Sequence, residues 1–332
     1  MRAAVFSDAG GPEAVEIRDV AEPTPGPGEA VVRVEACALN HHDLWILEEG
    51  FEGDGPFVPG VDVAGVVDAV GDDVERVAPG DRVVLCPNET CGSCRYCREG
   101  PENTCAEYGI YHGGLAERAL VNADRLLHLP ASVSTTAAAA LPVSYMTAWR
   151  MLQRADAGLG DRVFVPGATG GVGVAAVQLV DAIGGRSIGT SRSGEKLARL
   201  EEVGLDHAIE SDDVDEIRTA VEELGEVDVV LNHLGGEFVG LGMDVLRRTG
   251  TMVVCGRTAG STASLDVSDL FWNHKRLVGS TMGTQGDLAT LVEMAANGLE
   301  PVVGAEYPLA DTARAFADMH DRSAFGKLVV HP

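Results

Sequence analysis

Cys91, Cys94, Cys97 and Cys105 stand two, two and seven residues apart, a C-x2-C-x2-C-x7-C run. Four thiolates that close along a chain can wrap one tetrahedral Zn²⁺, and a four-sulfur shell leaves no coordination position open. The chemistry this spacing predicts is structural. One zinc would order residues 86–106, a stretch rich in Gly, Pro and charge that could not otherwise offset its conformational entropy. Two local disulfides are the alternative. The chain has seven cysteines, with Cys37 and Cys255 apart and Cys86 just before the run. An odd count argues against a disulfide framework. Cys86 reads as a small buried apolar residue rather than a fifth ligand.

A second motif lies in the other half. Arg162 to Pro166 reads as a short buried strand, followed by Gly167-Ala168-Thr169-Gly170-Gly171-Val172-Gly173 and a helical pattern from Val174 to Ile183. Strand, glycine-rich turn and helix in that order are the context of a dinucleotide fingerprint. Glycine lets backbone approach a pyrophosphate, and the helix N-terminus offers N–H groups and positive potential. Gly170, Gly171, Val172 and Gly173 are therefore the expected pyrophosphate cradle, although the first glycine of the usual G-x-G-x-x-G is Ala168.

The end of the next strand bears on which dinucleotide binds. An acidic residue there would hydrogen-bond the ribose 2′-hydroxyl of NAD(H). The sequence instead reads Thr190-Ser191-Arg192-Ser193, with Lys196 beyond. Ser191, Arg192 and Lys196 suit a 2′-phosphate, so NADP(H) is favoured over NAD(H). The alternative is that Arg192 and Lys196 are solvated helix-start residues. The chain has only three lysines, Lys196, Lys275 and Lys327, which gives a lysine at this position more weight.

The elements that position these motifs alternate. Strands are expected at Arg186–Thr190, Val227–Leu231, Thr251–Cys255 and Arg276–Gly279, and helices at Glu195–Val203 and Phe238–Leu246. This pattern predicts a parallel, doubly wound sheet, an α/β class. Residues 1–128 look β-rich, with short runs at Ala30–Val34, Gly65–Val70, Asp81–Leu85 and Ala116–Val121 split by turns such as Pro25-Gly26-Pro27-Gly28. A small, irregular, partly open barrel fits them.

The 332 residues suit about two domains. The 25 basic residues stand against 51 acidic ones, a net charge of −26. Nucleic acid is an unfavourable partner for such a surface. The acid is spread along the chain rather than gathered in a tail, which argues against a disordered acidic arm. Self-repulsion at this charge weakens the folded state in dilute buffer, and molar salt screens it. A salt-adapted protein is the expectation, with an ordinary acidic enzyme as the alternative. No run of about 18 apolar residues occurs, so no membrane span is expected. The N-terminal residues lack the long apolar core of a signal peptide, and a cytoplasmic protein is expected.

Taken together, these residues resemble the medium-chain dehydrogenase/reductase superfamily, the fold of zinc alcohol dehydrogenases and quinone oxidoreductases. The resemblance runs through Gly26-Pro27-Gly28-Glu29, Gly60 to Val67, Val77 to Val83, the four-cysteine lobe, Leu141-Pro142, Thr147-Ala148-Trp149, the glycine-rich turn and Gly326 to Val330. It implies a GroES-like catalytic domain at 1–128 and 283–332, with the zinc lobe at 86–106. A Rossmann domain is implied at 129–282. It further implies a small-molecule substrate and a homodimer or homotetramer paired through the edge strand Arg276–Gly279.

The catalytic zinc of the alcohol dehydrogenases uses a Cys, a His from Gly-His-Glu, and a further Cys or acid. By motif alignment these positions are Asn40, Val61 and near Val143 here, which argues against that metal. A non-standard site from His41, His42, Asp43, Asp62 and His112 is the alternative to polar lining with the acids in hydrogen-bond networks. The resemblance then implies hydride transfer to a quinone or an α,β-unsaturated carbonyl. Asn40 would donate its amide to the substrate oxygen, and His42 would assist or relay a proton, or be structural. Thr147 would pack beside the nicotinamide. Backbone around Cys255-Gly256-Arg257 and Ser280-Thr281 would hold the carboxamide. Trp45 and Tyr111 would line the pocket or pack the core. An enoyl-CoA reductase, a zinc alcohol dehydrogenase and a non-catalytic NADPH-binding protein are the competing readings.

Overall fold

The computed structural model describes residues 1–51 and 55–332. They form two compact units, Met1–Val143 with Thr284–Pro332, and Ser144–Gly283.

The first unit opens with β1 (Arg2–Val5) and β2 (Glu16–Asp19), an antiparallel pair. There follow β3 (Glu29–Ala38), helix α1 (His41–Glu49), β4 (Asp62–Val70), β5 (Arg82–Leu85), β6 (Asn88–Glu89), helix α2 (Arg95–Glu99), β7 (Gly109–Ile110), β8 (Arg118–Asn122), β9 (Leu126–His128) and helix α3 (Thr135–Ala140). Ala30, Val32 and Val34 of β3 alternate into a core with Val63 and Val67 of β4, Val83 and Leu85 of β5 and Leu126 of β9. A two-residue repeat is what a pleated strand with one buried face requires. The ladder between β3 and β4 shifts register between Val34 and Ala36. There a Cβ on Gly65 would stand 2.1 Å from the Arg33 carbonyl oxygen, so only glycine fits.

The partition falls after Val143, whereas the sequence places it after residue 128. Ala138, Ala139 and Ala140 of α3 are buried, and this helix packs on β3 and β4. Its small side chains attach it to the barrel.

The second unit holds α4 (Met146–Ala155), β10 (Arg162–Val165), α5 (Gly171–Ala182), β11 (Arg186–Ser191), α6 (Gly194–Glu201), β12 (His207–Glu210), α7 (Val214–Leu224), β13 (Val227–Asn232), α8 (Glu237–Val245), β14 (Leu246–Val254), α9 (Val267–Trp272) and β15 (Arg276–Gly279). The strand order is β12-β11-β10-β13-β14-β15, and every ladder is parallel. Counted from β10 this is the 3-2-1-4-5-6 order of a doubly wound dinucleotide fold, whose order reverses between β10 and β13. Strand β12 and helix α7 had no counterpart in the sequence reading. The strand buries only Ile209, and the helix only Ile217 and Val221, so neither gives a strong apolar period.

The chain then returns to the first unit through α10 (Gln285–Ala296), β16 (Val303–Pro308), α11 (Thr312–His320) and β17 (Lys327–His331). The barrel sheet runs β16-β17-β3-β4-β5-β9, with β8 also on β3. Lys327 is thereby brought to the barrel sheet beside β3, close to where α1 begins.

Candidate active site

The four cysteines converge on the lobe around α2. The Sγ atoms of Cys94 and Cys97 are 3.6 Å apart, Cys91 and Cys105 3.6 Å, Cys94 and Cys105 3.9 Å, and Cys91 and Cys97 4.0 Å. Zinc–sulfur bonds of about 2.3 Å give a tetrahedron with edges of roughly 3.8 Å. The cage therefore has the right size for one zinc, and all seven cysteines are free thiols. Backbone N–H groups of Ala106 and Cys97 draw the Cys94 thiol down to about 6, and those of Ser93 and Cys94 lower Cys91, whereas burial and the neighbouring sulfurs push Cys97 up to about 12. Hydrogen bonds to sulfur favour the thiolate, the form that binds metal. Among the described residues this is the one group of three or more His, Cys, Asp or Glu side chains gathered closely enough for a metal. Cys86 lies outside it, fully buried, its sulfur 3.2 Å from Arg125 Nη2.

The nucleotide-binding turn follows β10. Ala168 is accommodated because the left-handed position is Gly167, at φ 67°. Room for its methyl comes from Gly189 on β11, where a Cβ would lie 2.8 Å from that of Ala168. Helix α5 starts at N-cap Gly170, which offers no side-chain oxygen to the first-turn N–H groups. A Cβ on Gly173 would stand 2.6 Å from Ala168 backbone, so glycine alone permits this helix–strand approach. The first turn, Gly171 to Gly173, thus keeps its donors for a phosphate.

At the far ends of the later strands, a Cβ on Gly256 would stand 2.0 Å from the His233 carbonyl oxygen. Ser280, just after β15, has a buried hydroxyl with no hydrogen-bond partner among the described residues. Ser280, Thr281, Cys255, Gly256 and Arg257 follow the C-terminal ends of β14 and β15, the side of such a sheet where nucleotides bind. An orphaned hydroxyl there fits a bound carboxamide. Thr147 on α4 is buried, its hydroxyl 3.8 Å from the Met282 sulfur. Beyond the end of β11, partial burial and then the nearby charges of Arg192 and Arg199 lower the pKa of Lys196, with Glu195 opposing. The Glu210 carboxylate accepts the Gly194 N–H at 2.9 Å on the same rim.

The barrel unit holds a buried polar network at the start of α1. The Asn40 amide nitrogen donates to Asp62 Oδ2 at 2.9 Å and to the Ala38 carbonyl at 3.3 Å. Its oxygen accepts from Lys327 Nζ at 2.6 Å. Lys327 also donates to Asp62 Oδ2 at 3.0 Å and to the Leu39 carbonyl at 2.8 Å. The Val143 N–H completes the shell of Asp62 at 3.1 Å. Both amide hydrogens of Asn40 are thus engaged inside the protein. The donor role to substrate expected of Asn40 therefore finds no free amide hydrogen in this structure. Asp43 is equally committed, accepting from the Gly60 N–H and the Asn40 N–H at 2.9 Å each. Gly60 reaches Asp43 at φ 97°, where a Cβ would stand 2.7 Å from the Leu115 nitrogen.

These residues do not fit a catalytic zinc. Val61 is fully buried and has no donor atom, Asn40 and Asp62 are saturated, and an ammonium already holds their oxygens. His41, His42, Asp43, Asp62 and His112 form no metal cluster, because both acids are spent on backbone and lysine donors. His42 instead stacks on His112, with ring centroids 5.2 Å apart. Trp45 is half-buried, and Tyr111 is buried in the barrel core.

Lys327 is the member of this buried network that sequence reasoning passed over. Its signal was present: one of three lysines, set against the apolar run Leu328-Val329-Val330.

The sequence model of the alcohol dehydrogenase GroES-like domain matches residues 26–131, and that of the zinc-binding dehydrogenases matches 171–297. The chain is 30% identical to a quinone oxidoreductase of Mus musculus, over 99% of this chain and 97% of the relative. A crystal structure of an NAD-dependent alcohol dehydrogenase superposes with a TM-score of 0.93, at 35% identity over all of both chains. A crotonyl-CoA carboxylase/reductase in complex with NADP superposes with a TM-score of 0.91, at 25% identity over all of this chain and 94% of that one. The chain belongs to the medium-chain dehydrogenase/reductase superfamily and is an oxidoreductase of that family.

Proposed function

We propose that this oxidoreductase uses NADPH to reduce a quinone or an α,β-unsaturated carbonyl, without a catalytic zinc. The observation that carries the reading is Lys327, whose ammonium is held by Asn40 and Asp62. A cation at that point repels a second cation, and Val61 cannot bind one. With no Lewis acid to polarise an alcohol, an acceptor already poor in electrons is the less demanding substrate.

The uncapped first turn of α5 at Gly171, Val172 and Gly173 would hold the pyrophosphate, and Ser280 the carboxamide. Ser191, Arg192, Lys196 and Arg199 would hold a 2′-phosphate, and the missing carboxylate at the end of β11 supports NADP(H) over NAD(H). Glu210, Asp212 at 3.9 Å from Arg192, and Glu195 beside Lys196 work against that preference on the same rim. Bound cofactor supplies a hydride to the electron-poor carbon of the acceptor. The protein's own tasks are to hold the acceptor, exclude water and supply hydrogen bonds to the oxygen that gains charge. Thr147, buried on α4, would pack against the nicotinamide.

An enoyl-CoA reductase is the second reading, favoured by the likeness to the NADP-bound crotonyl-CoA carboxylase/reductase. We also propose pairing of two copies along β15, giving a homodimer or homotetramer. Support comes from Leu277 of β15 and from Phe271 and Trp272 of α9, which leave large apolar surface exposed. Seven free thiols support a reducing, cytoplasmic setting. Among the described residues no helix is long and apolar enough to cross a membrane.

The test is metal analysis together with a turnover panel of quinones, enones, enoyl-CoA thioesters and alcohols, with NADPH and NADH, in molar salt. One zinc per chain and NADPH-driven reduction of a quinone or enone are expected. Two zincs per chain with alcohol oxidation would overturn the reading, and NADPH binding without any turnover would favour a non-catalytic protein.

A further inference from the structure

His42 and His112 present an anomaly in the barrel unit. His42 lies in the first turn of α1, and His112 follows β7, seventy residues away in the chain. Their rings stack with an interplanar angle of 20°, and Phe57 packs on His112 at 5.1 Å between centroids. His42 Nε2 and His112 Nδ1 are sealed from solvent and have no hydrogen-bond partner among the described residues. Buried polar atoms are almost always satisfied, and an orphan costs about 1–3 kcal/mol. Two orphans on touching rings point to a partner supplied from outside the chain.

The chemistry of that partner follows from the charge state. Burial lowers the pKa of His42, and burial together with His42 pushes His112 down to about 4. Both imidazoles are therefore neutral near pH 7, and each carries one N–H donor. Among the described residues no carboxylate contributes to either shift, so none of them holds these rings as cations. A metal would want a third ligand, and among the described residues none joins this pair. Two neutral donors in an apolar setting suit an oxygen that gains negative charge. Asn40, the other candidate donor, is spent on Asp62 and Ala38.

We infer that His42 and His112 form the receptor for the acceptor's carbonyl oxygen, donating from His42 Nε2 and His112 Nδ1, with His42 delivering the proton. This rests on the reading of the protein as a quinone or enone reductase. As the acceptor gains hydride at carbon, its π pair moves onto oxygen. The His42 Nε2–H bond breaks and an O–H bond forms. The opposite ring nitrogen, Nδ1, takes a proton from water, so the imidazole ends neutral in its other tautomer and one solvent proton is consumed per turnover. His42 is a catalytic residue in this scheme, and His112 supplies the second hydrogen bond.

The experiment combines a binding and a turnover readout. Ring-¹⁵N-labelled protein is titrated with 4-nitrophenolate as the oxyanion probe. Signals of His42 and His112 are expected to shift together, and probe affinity to fall at least about tenfold in His42→Gln and in His112→Gln. His41→Gln, an exposed neighbour, should bind normally. With an enone substrate, His42→Ala should lose roughly 10²–10⁴ in kcat, the range for a positioned proton donor, with unchanged NADPH affinity and partial rescue by added imidazole. Ring signals unmoved at saturating probe would overturn the inference, as would unchanged kcat and solvent isotope effect in both variants. If the unmodified enzyme reduces no quinone or enone, the functional reading falls, and the titration alone still decides whether the pair receives an oxyanion.

Discussion

Lys327 Nζ donates to Asp62 Oδ2 across 3.0 Å, with the lysine side chain 2% and the aspartate side chain 0% exposed. A charge pair this deep stands only because every oxygen and proton around it is used. Asp62 also receives Asn40 and Val143, and Lys327 also reaches Leu39 and Asn40. Burial raises the Asp62 pKa, while Lys327 and Asn40 pull it down. Removing one partner leaves an uncompensated buried charge. Lys327→Met should cost about 3–5 kcal/mol in denaturant unfolding, and adding Asp62→Leu should recover much of that loss. A single variant as stable as the parent would show that the pair contributes nothing to the fold.

Two groups near this network pull stability in opposite directions with pH. Burial raises Asp43 to about 7, against an unfolded value of about 3.9. The folded chain then holds more protons than the unfolded chain between about pH 4 and 7, so this group's contribution falls as pH rises through that window. His112, at about 4 when folded and about 6.5 when unfolded, behaves in reverse. Its contribution is intact above about 6.5 and is lost as pH falls towards 4. His41 and His42 are shifted in the same sense as His112. Relative to the parent, His112→Gln should gain stability on acidification from pH 7 to 4, and Asp43→Asn should lose it. Unfolding midpoints at four pH values across the window measure both slopes; parallel profiles would contradict the assignment.

The 2′-phosphate reading makes a charge-specific prediction. Hydrogen bonds to charged groups contribute about 1.5–3 kcal/mol, roughly ten- to a hundredfold in affinity. Arg192→Ala or Lys196→Ala should raise the KM for NADPH by that factor and leave the KM for NADH within about twofold. Equal losses for both cofactors would assign these side chains to stability rather than to specificity.

Net charge predicts the response to salt. With 51 acidic residues against 25 basic ones, self-repulsion acts over a Debye length of about 10 Å at 0.1 M and about 3 Å at 1 M. The thermal midpoint should therefore climb between 0.1 M and 2 M KCl. A midpoint that stays level would place this chain among ordinary acidic enzymes.

Local signals carried much of the fold. The cysteine spacing gave the cage because its ligands are near neighbours in the chain, and β15 was read at its observed bounds because its flanks are polar. The site was less accessible for a physical reason. Asn40 and Lys327 are 287 residues apart, and only the pairing of β17 with β3 brings them together. His42 and His112 likewise meet through sheet topology. The Ala168 exception, which looked like a weakened motif, is balanced by Gly189 on the neighbouring strand, a compensation invisible until the two strands are paired.

Glu102, between the third and fourth cysteines, accepts the backbone N–H of Gln285 at 2.7 Å, and the Gln285 side chain reaches the Asp124 carbonyl at 2.7 Å. The thiolate lobe thus supplies the terminal acceptor for α10, a helix that begins 183 residues later. Stripping the ion would be felt first as fraying where the polypeptide re-enters the barrel, so amide exchange at residues 285–288 should report zinc occupancy before any global melting does.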